Sequence, residues 1–280
     1  MPDSPPNDAG ADKQLRSATD RAFVVALGKG LRILEAFTPE MRWLGNAEIS
    51  ELAGIPKPTV SRFTKVLTAE GYLHYESGRR QYCLGTSVLA LGYAGRAGTN
   101  LAEVIRPYLQ RLADDFGIHA ALVGRDKTNV IHLDVCRSAN KLTTLQLDIG
   151  SRIPLAGTAS GHALMSRIPP DERAALLAQL AVRHEKHWDR IEEQIQAGLR
   201  EVEDWGYASS VQGWQTDING VAVPIVAMGE TPVLAISCGW PSRYLPPGQM
   251  QVIGERMVAD ASQIIEQHSQ KRPDREAGAR

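Results

Sequence analysis

The chain has 280 residues, 43% of them hydrophobic and 22% charged, with 31 Lys and Arg against 32 Asp and Glu for a formal net charge of -1. That length holds one large domain or two moderate ones, each with its own core, and the near-neutral balance argues against a histone-like binder. Cys83, Cys136 and Cys238 are odd in number and lack C-x-x-C spacing, the N-terminus has no apolar h-region, and no run approaches the roughly 18 apolar residues of a membrane span. A reducing, cytoplasmic compartment is therefore expected, without membrane contact.

Residues 1–20, rich in Asp, Pro, Ala and Ser, bury too little apolar surface to repay ordering and read as a disordered tail. Val24, Leu27, Leu31, Leu34 and Phe37 then recur at steps of three and four, which predicts a first helix ending before Pro39. Asn46 suits an N-cap and Ile49, Leu52 and Ala53 a buried face, so a short second helix is expected up to Gly54. Pro58 fits a first helical turn, and Val60, Phe63, Val66 and Leu67 predict the inner face of a third helix ending at Gly71. Two aromatic runs, residues 72–75 and 81–84, flank Glu76-Ser77-Gly78-Arg79-Arg80 and predict a hairpin. Three helices followed by a hairpin is the order of a winged helix-turn-helix.

Residues 21–85 carry nine basic and six acidic residues, whereas the tail before them and the rest of the chain are net acidic. The outer positions of the third helix are Lys57, Thr59, Ser61, Arg62 and Lys65, all able to donate hydrogen bonds, with Pro58 among them. In a helix-turn-helix those turns enter the major groove, where hydroxyls and long cations reach base edges and phosphates, and Arg79 and Arg80 at a wing tip suit backbone or minor groove. Double-stranded operator DNA is the expected partner.

Beyond Gly85, residues 86–98 read as a linker helix and residues 99–270 as a second, mixed α/β domain with a terminal tail over 271–280. Its expected strands are residues 120–123, 130–135, 143–147, 221–226 and 233–237, and its helices lie at 101–116 and near 158–166, 171–181, 188–204 and 247–268. Leu101, Val104, Ile105 and Leu112, with the linker residues Val88, Leu89 and Leu91, form the expected self-association surface of a homodimer or tetramer.

Signals of catalysis or metal binding are weak. Gly157-Thr158-Ala159-Ser160-Gly161 has G-x-x-S-G spacing where a nucleophile elbow needs G-x-S-x-G, so a strand-to-helix turn is the better reading. His184 and His187 lack companion ligands, Cys136 sits among alternating apolar residues as a core position, and Gly28-Lys29-Gly30 has no preceding strand to make a phosphate loop. No catalytic residue, metal or cofactor is expected.

Four segments carry a family resemblance. Residues 49–91, ISELAGIPKPTVSRFTKVLTAEGYLHYESGRRQYCLGTSVLAL, with their G-x-P-K-x-T-V-x-R core and Y-x-L-G ending, resemble the DNA-binding domain of IclR-type bacterial transcription regulators. GSRIPLAGTASGHALM (residues 150–165), WGYASSVQGWQTDINGVAVPI (205–225) and AISCGWPSR (235–243) are similar to that family's effector-binding domain. The resemblance implies a winged helix joined by a linker helix to a GAF-like domain, dimers that pair into tetramers, and a small metabolite that changes operator affinity. The chain departs from it at Ser209–Gln212, where many members carry acidic residues, and at His162, where Lys or Arg is usual.

The effector site is expected between the helix start at Thr158, the segment 209–219 and the strand Ile236-Ser237-Cys238. Thr158 and Ser160 supply hydroxyls, Trp214 an aromatic wall and Asn219 an amide. The resemblance adds Ala159 and Ser160 as pocket positions, with Cys238 where a small polar residue is common. With no acidic residue at 209–212, a small organic acid of a catabolic pathway, aromatic acids included, fits better than an amine or sugar. Competing readings are an enzyme using the α/β domain with an accessory helical domain, and a protein-interaction adaptor.

Overall fold

The computed structural model describes residues 18–97, 101–138, 145–225, 233–246 and 248–271. It divides into two compact units, Met1–Ala97 and Gly98–Arg280. The expected tails lie outside the described residues except at their inner ends, where Ala18, Thr19 and Asp20 already belong to the first helix and Lys271 closes the last one.

In the first unit, α1 (Ala18–Glu35), α2 (Asn46–Ala53) and α3 (Lys57–Ala69) are followed by the antiparallel hairpin β1 (Leu73–Glu76) and β2 (Gln81–Leu84), then by α4 (Thr86–Ala97). This is a winged helix-turn-helix. Gly54 closes α2 in the left-handed region at φ 63°, a conformation open to glycine at no steric cost, which sets the tight turn into α3. Glu48 takes the amide of Gly45 at 2.7 Å, so Gly45 is the N-cap and the expected cap, Asn46, is the first helical residue. Leu44 bridges Tyr82 and ties the strand-like run before α2 to the wing.

The core of this unit joins Ile33, Phe37, Leu44, Ile49, Ile55, Val60 and Leu73. Three expected faces differ from the outcome. Thr64 is fully buried and Val66 is exposed on α3, because the Thr64 hydroxyl is positioned to meet Ser61 O and Asn46 Oδ1, a place for a small polar group. On α1, Val24, Leu27 and Leu31 stay exposed, and the burial comes from Ile33 and from Ala36 and Phe37 just past the helix end. Leu52 of α2 is exposed as well.

The second unit is built on one six-stranded antiparallel sheet, in the order β5-β4-β3-β8-β7-β6. Its strands are β3 (His119–Asp126), β4 (Asn129–Arg137), β5 (Arg152–Pro154), β6 (Ala208–Val211), β7 (Ile218–Ile225) and β8 (Leu234–Pro241). Residues 145–147, expected in a strand, form none, and 143–144 lie outside the described residues. α5 (Leu101–Phe116) and α9 (Gln249–Lys271) cover one face of the sheet; α6 (Ala159–Met165), α7 (Pro170–Arg183) and α8 (Trp188–Trp205) belong to the other.

Because both faces are covered, each strand splits its side chains between two cores. Ala120, Leu122, Val221, Val223, Ile236 and Cys238 pack with Ile105, Leu109, Leu112, Ile253 and Met257. Ala121, Val123, Ala222 and Ala235 pack with Ala159, Leu164, Leu180 and Ile195. Val104, Ile105 and Leu112, expected at a subunit interface, are thus buried in their own domain, and the side chain of Leu101 lies outside the described residues. A β-bulge displaces the register of β4 so that Val123 pairs with His132 while Leu122 pairs with Asp134, leaving Leu133 between them.

Candidate functional site

Two surfaces carry chemistry, one in each unit. On the winged helix, Lys57, Pro58, Arg62 and Lys65 are exposed along α3, and Thr59 and Ser61 are half-buried beside them. Ser61 Oγ accepts a hydrogen bond from Asn46 Nδ2 at 3.2 Å, which fixes the hydroxyl at the α2–α3 junction. The wing tip presents Arg79 and Arg80, with the Arg79 guanidinium 5.2 Å from the ring centroid of Trp43. Arg80 holds a left-handed backbone at φ 55°, unusual for a residue with a side chain. No carboxylate lies among the exposed α3 residues 57–66, so this face is cationic throughout.

In the second unit, a small pocket with about 50 Å³ of free volume opens on the sheet face covered by α6. Its floor is made of strand positions without bulk. A Cβ on Gly239 would lie 3.1 Å from Leu145 Cδ2, and one on Gly220 would lie 3.8 Å from Ala159 Cβ, so both glycines point their missing side chains into the space. Trp214, Leu145, Leu147, Ile153 and Ile218 supply apolar walls, and Ser160, Ser210 and Ser237 supply hydroxyls.

The strand-to-helix turn at residues 157–161 is anchored from within. Thr158 donates its hydroxyl to Pro154 O at 2.9 Å and accepts the Gly161 amide at 3.1 Å, which makes it the N-cap of α6. Its oxygen is therefore committed to the turn. Ser160 Oγ meets Ser237 Oγ at 3.1 Å across the pocket, and Ser210 Oγ donates to Gly157 O at 2.8 Å.

Of the residues expected here, Thr158, Ala159, Ser160, Trp214, Asn219 and Cys238 border the pocket, and Ile236 does not. Ile236 and Cys238 turn their side chains into the opposite core, and burial with Asp260 nearby pushes the Cys238 thiol up, so it stays neutral. Asn219 pairs in register with Trp240 and alternates with Gly220, placing its amide on the face away from Ser237.

Two residues of the pocket, His119 and His132, gave no signal beyond strand-forming neighbours. Both are about 2% exposed. His119 Nε2 lies 3.1 Å from Leu147 O and His132 Nδ1 lies 3.1 Å from Ser151 O. Since a carbonyl only accepts, each of these nitrogens carries the hydrogen, and Nδ1 of His119 and Nε2 of His132 are the basic ones. Burial, aided by His132 and Arg137, lowers His119 to about 4, and burial lowers His132 too. Both rings are neutral at pH 7.

Among the described residues no group of three or more His, Cys, Asp and Glu is placed to hold a metal ion, and no helix is long and apolar enough to cross a membrane. His184 is half-buried, and Glu185 to His187 form an exposed 3-10 turn.

A winged helix with a cationic recognition face, carried on one chain with a pocketed α/β domain, defines a DNA-binding transcription regulator. The chain belongs to the IclR family of bacterial transcriptional regulators: residues 26–77 match the IclR helix-turn-helix domain and residues 96–266 the IclR C-terminal domain. It is 33% identical over 230 residues to the HTH-type transcriptional regulator TsaQ1/TsaQ2 of Comamonas testosteroni, covering 82% of each chain. An IclR family transcriptional regulator from Brucella abortus has the same fold at 38% identity and a TM-score of 0.76, over 88% of this chain and 93% of that one. An IclR homolog of Microbacterium hydrocarbonoxydans, complexed with 4-hydroxybenzoate, shares the fold at 20% identity and a TM-score of 0.68, over 86% of this chain and 99% of that one.

Proposed function

We propose that this regulator binds a small organic acid in the pocket beside His119, Ser160 and Trp214, and that occupancy changes its affinity for an operator. The observation that carries the acid class is the lining itself. It holds hydroxyl donors, an indole and two imidazoles, and no Asp or Glu among the described residues. A cationic ligand would find no counter-charge there. A flat acid gains the Trp214 wall and the hydroxyls of Ser160 and Ser237. The 4-hydroxybenzoate of the Microbacterium relative is that protein's ligand and is one member of this class.

On the DNA side, Lys57, Thr59, Ser61, Arg62 and Lys65 read the major groove from α3, with Pro58 setting its first turn, and Arg79 and Arg80 hold the flanking backbone or minor groove. The active species is at least a homodimer. A single winged helix reaches one half-site, and the apolar residues Val24, Leu27 and Leu31 of α1 and Leu89, Leu91 and Tyr93 of α4, all more than half exposed, are surfaces that a second copy covers. The protein acts in the cytoplasm as a regulator without catalytic activity of its own.

A thermal-shift screen tests the pocket. Benzoate and 4-hydroxybenzoate are expected to stabilise the protein, by RT ln(1 + [L]/Kd) or about 2.7 kcal/mol at a hundredfold excess over Kd, while benzylamine and glucose are not. Ser160→Trp, which fills the space against Ser237, removes the response. An equal response in the filled variant places the ligand elsewhere, and stabilisation by the amine or sugar alone refutes the acid class.

A further inference from the structure

An acid in this pocket needs a counter-charge that the walls do not supply. Among the described residues no Lys or Arg lines the space, and its titratable side chains are His119, His132 and Cys238, of which the thiol points into the other core. His119 and His132 face each other edge to face with centroids 5.6 Å apart. Each has spent its N–H on a main-chain carbonyl, so each keeps one lone pair.

The charged groups that face the pair come from its own strand neighbour and from the segment after β4. Arg137 on β4 donates to Leu147 O at 2.6 Å, the same oxygen that receives His119 Nε2, and to Asp148 Oδ1 at 2.8 Å. That ion pair balances itself. From α6, β7 and β8 come Ala159, Ser160, Asn219, Gly220, Ser237, Cys238 and Gly239, none of them charged.

We propose that the effector acid enters together with one proton, shared between the ligand carboxylate and the His119–His132 pair, so that the bound unit is neutral. The inference rests on the acid reading of the pocket given above. In solution the ligand is an anion and the pair carries no charge; in the complex one proton from the solvent lies between a carboxylate oxygen and a ring nitrogen. No other bond forms or breaks. The charges of ligand and proton cancel whichever atom holds the hydrogen, which removes the penalty of burying a lone anion.

The sign of the pH effect follows. Without an acid beside it, His119 stays neutral down to about pH 4, and an adjacent anion raises that value. Affinity for the acid therefore rises as pH falls from the titration point of the complex to about 4, by up to tenfold per pH unit, and levels off on either side.

The test is calorimetry of the full chain with benzoate, 4-hydroxybenzoate and the uncharged isostere benzamide at pH 6 and pH 7, in buffers of different ionisation enthalpy. The dependence of the observed heat on the buffer counts the protons. For either acid the expected uptake at pH 6 is at least about half a proton per site, with binding about two- to tenfold tighter than at pH 7; for benzamide both effects are absent. His119→Asn and His132→Asn are expected to reduce the uptake. Should either variant fail to fold, the contrast between acid and amide on the unaltered protein decides alone. Acid binding without proton uptake overturns the shared proton and leaves the acid pocket standing, as does uptake unchanged in both folded variants. If neither acid binds at millimolar concentration, the acid reading falls and this inference falls with it.

Discussion

His132 pairs in register with Val123, four residues along β3 from His119, yet their rings meet at 5.6 Å, and the small Ala121 stands between the two β3 positions on that face of the sheet. Ala121 is fully buried. Ala121→Leu is expected to wedge the rings apart, at an overpacking cost of about 1–3 kcal/mol. Binding of benzoate should weaken in the folded variant while DNA binding without ligand persists. Unchanged benzoate affinity would show that the ring pair takes no part in the site.

His162 lies on α6 behind the pocket, 3% exposed, and a Cβ on Gly198 of α8 would come within 2.2 Å of its Nδ1. Neither ring nitrogen has a hydrogen-bond partner, and burial lowers the group from 6.5 to about 4. The unfolded chain thus binds the proton first. Stability is full above about pH 6.5 and falls as pH drops toward 4, by about 3 kcal/mol for this group at 1.36 kcal/mol per pKa unit. Urea unfolding of His162→Leu is expected to show a shallower loss between pH 6.5 and 4, by up to one proton. Parallel pH profiles in the two proteins contradict this.

Arg80 occupies a left-handed turn that disfavours any side chain by about 1–2 kcal/mol. Arg80→Gly should raise stability by up to about 1 kcal/mol, since glycine relieves the strain and loses part of that gain in backbone entropy. DNA affinity should nevertheless fall. Lys57→Ala with Arg62→Ala also lowers affinity and leaves the melting temperature unchanged. In each case the slope of log K against log salt becomes shallower, by nearly one for each phosphate that is no longer neutralised. Arg80→Gly binding DNA as tightly as the parent would remove the wing from the interface.

Leu27 and Leu89 are 67% and 62% exposed. Substitutions at such positions in a monomer change stability by no more than about 0.5 kcal/mol. Leu27→Asp with Leu89→Asp should therefore leave the fold intact, convert the protein to a monomer by light scattering at micromolar concentration, and weaken operator binding at least tenfold. A dimer in this variant would move the interface away from α1 and α4.

The winged helix is legible in the sequence because its helices carry a 3.6-residue period punctuated by Gly54 and Gly71 and its hairpin a glycine-bearing turn. Where the pattern misleads, a second physical demand overrides hydrophobicity. Thr64 is buried in place of Val66 because the α2–α3 junction takes a hydroxyl, and Val24, Leu27 and Leu31 read as a core stripe although their own chain leaves them uncovered.

In the α/β domain, helices on both sides make the strands read as continuous apolar runs, so the phase of alternation cannot be assigned from composition. The strand Ile236-Ser237-Cys238 is expected at the pocket, Cys238 by resemblance, and of its three side chains Ser237's lines the space while Ile236 and Cys238 face the opposite core. The bulge at Leu133 hides His132 in the same way. Interior strand glycines, Gly220 and Gly239, are the available sign of where the sheet leaves room.

The most direct test of the account is the affinity for DNA upstream of the chain's own gene, measured by fluorescence anisotropy with and without a saturating acid from the screen. Coupling between two sites of this kind is worth about 1–3 kcal/mol, so the acid is expected to change operator affinity at least fivefold, and to leave it unchanged in Ser160→Trp. If calorimetry shows the acid bound beside His119 and Ser160 while operator affinity stays the same, the pocket does not control the winged helix and the account is wrong.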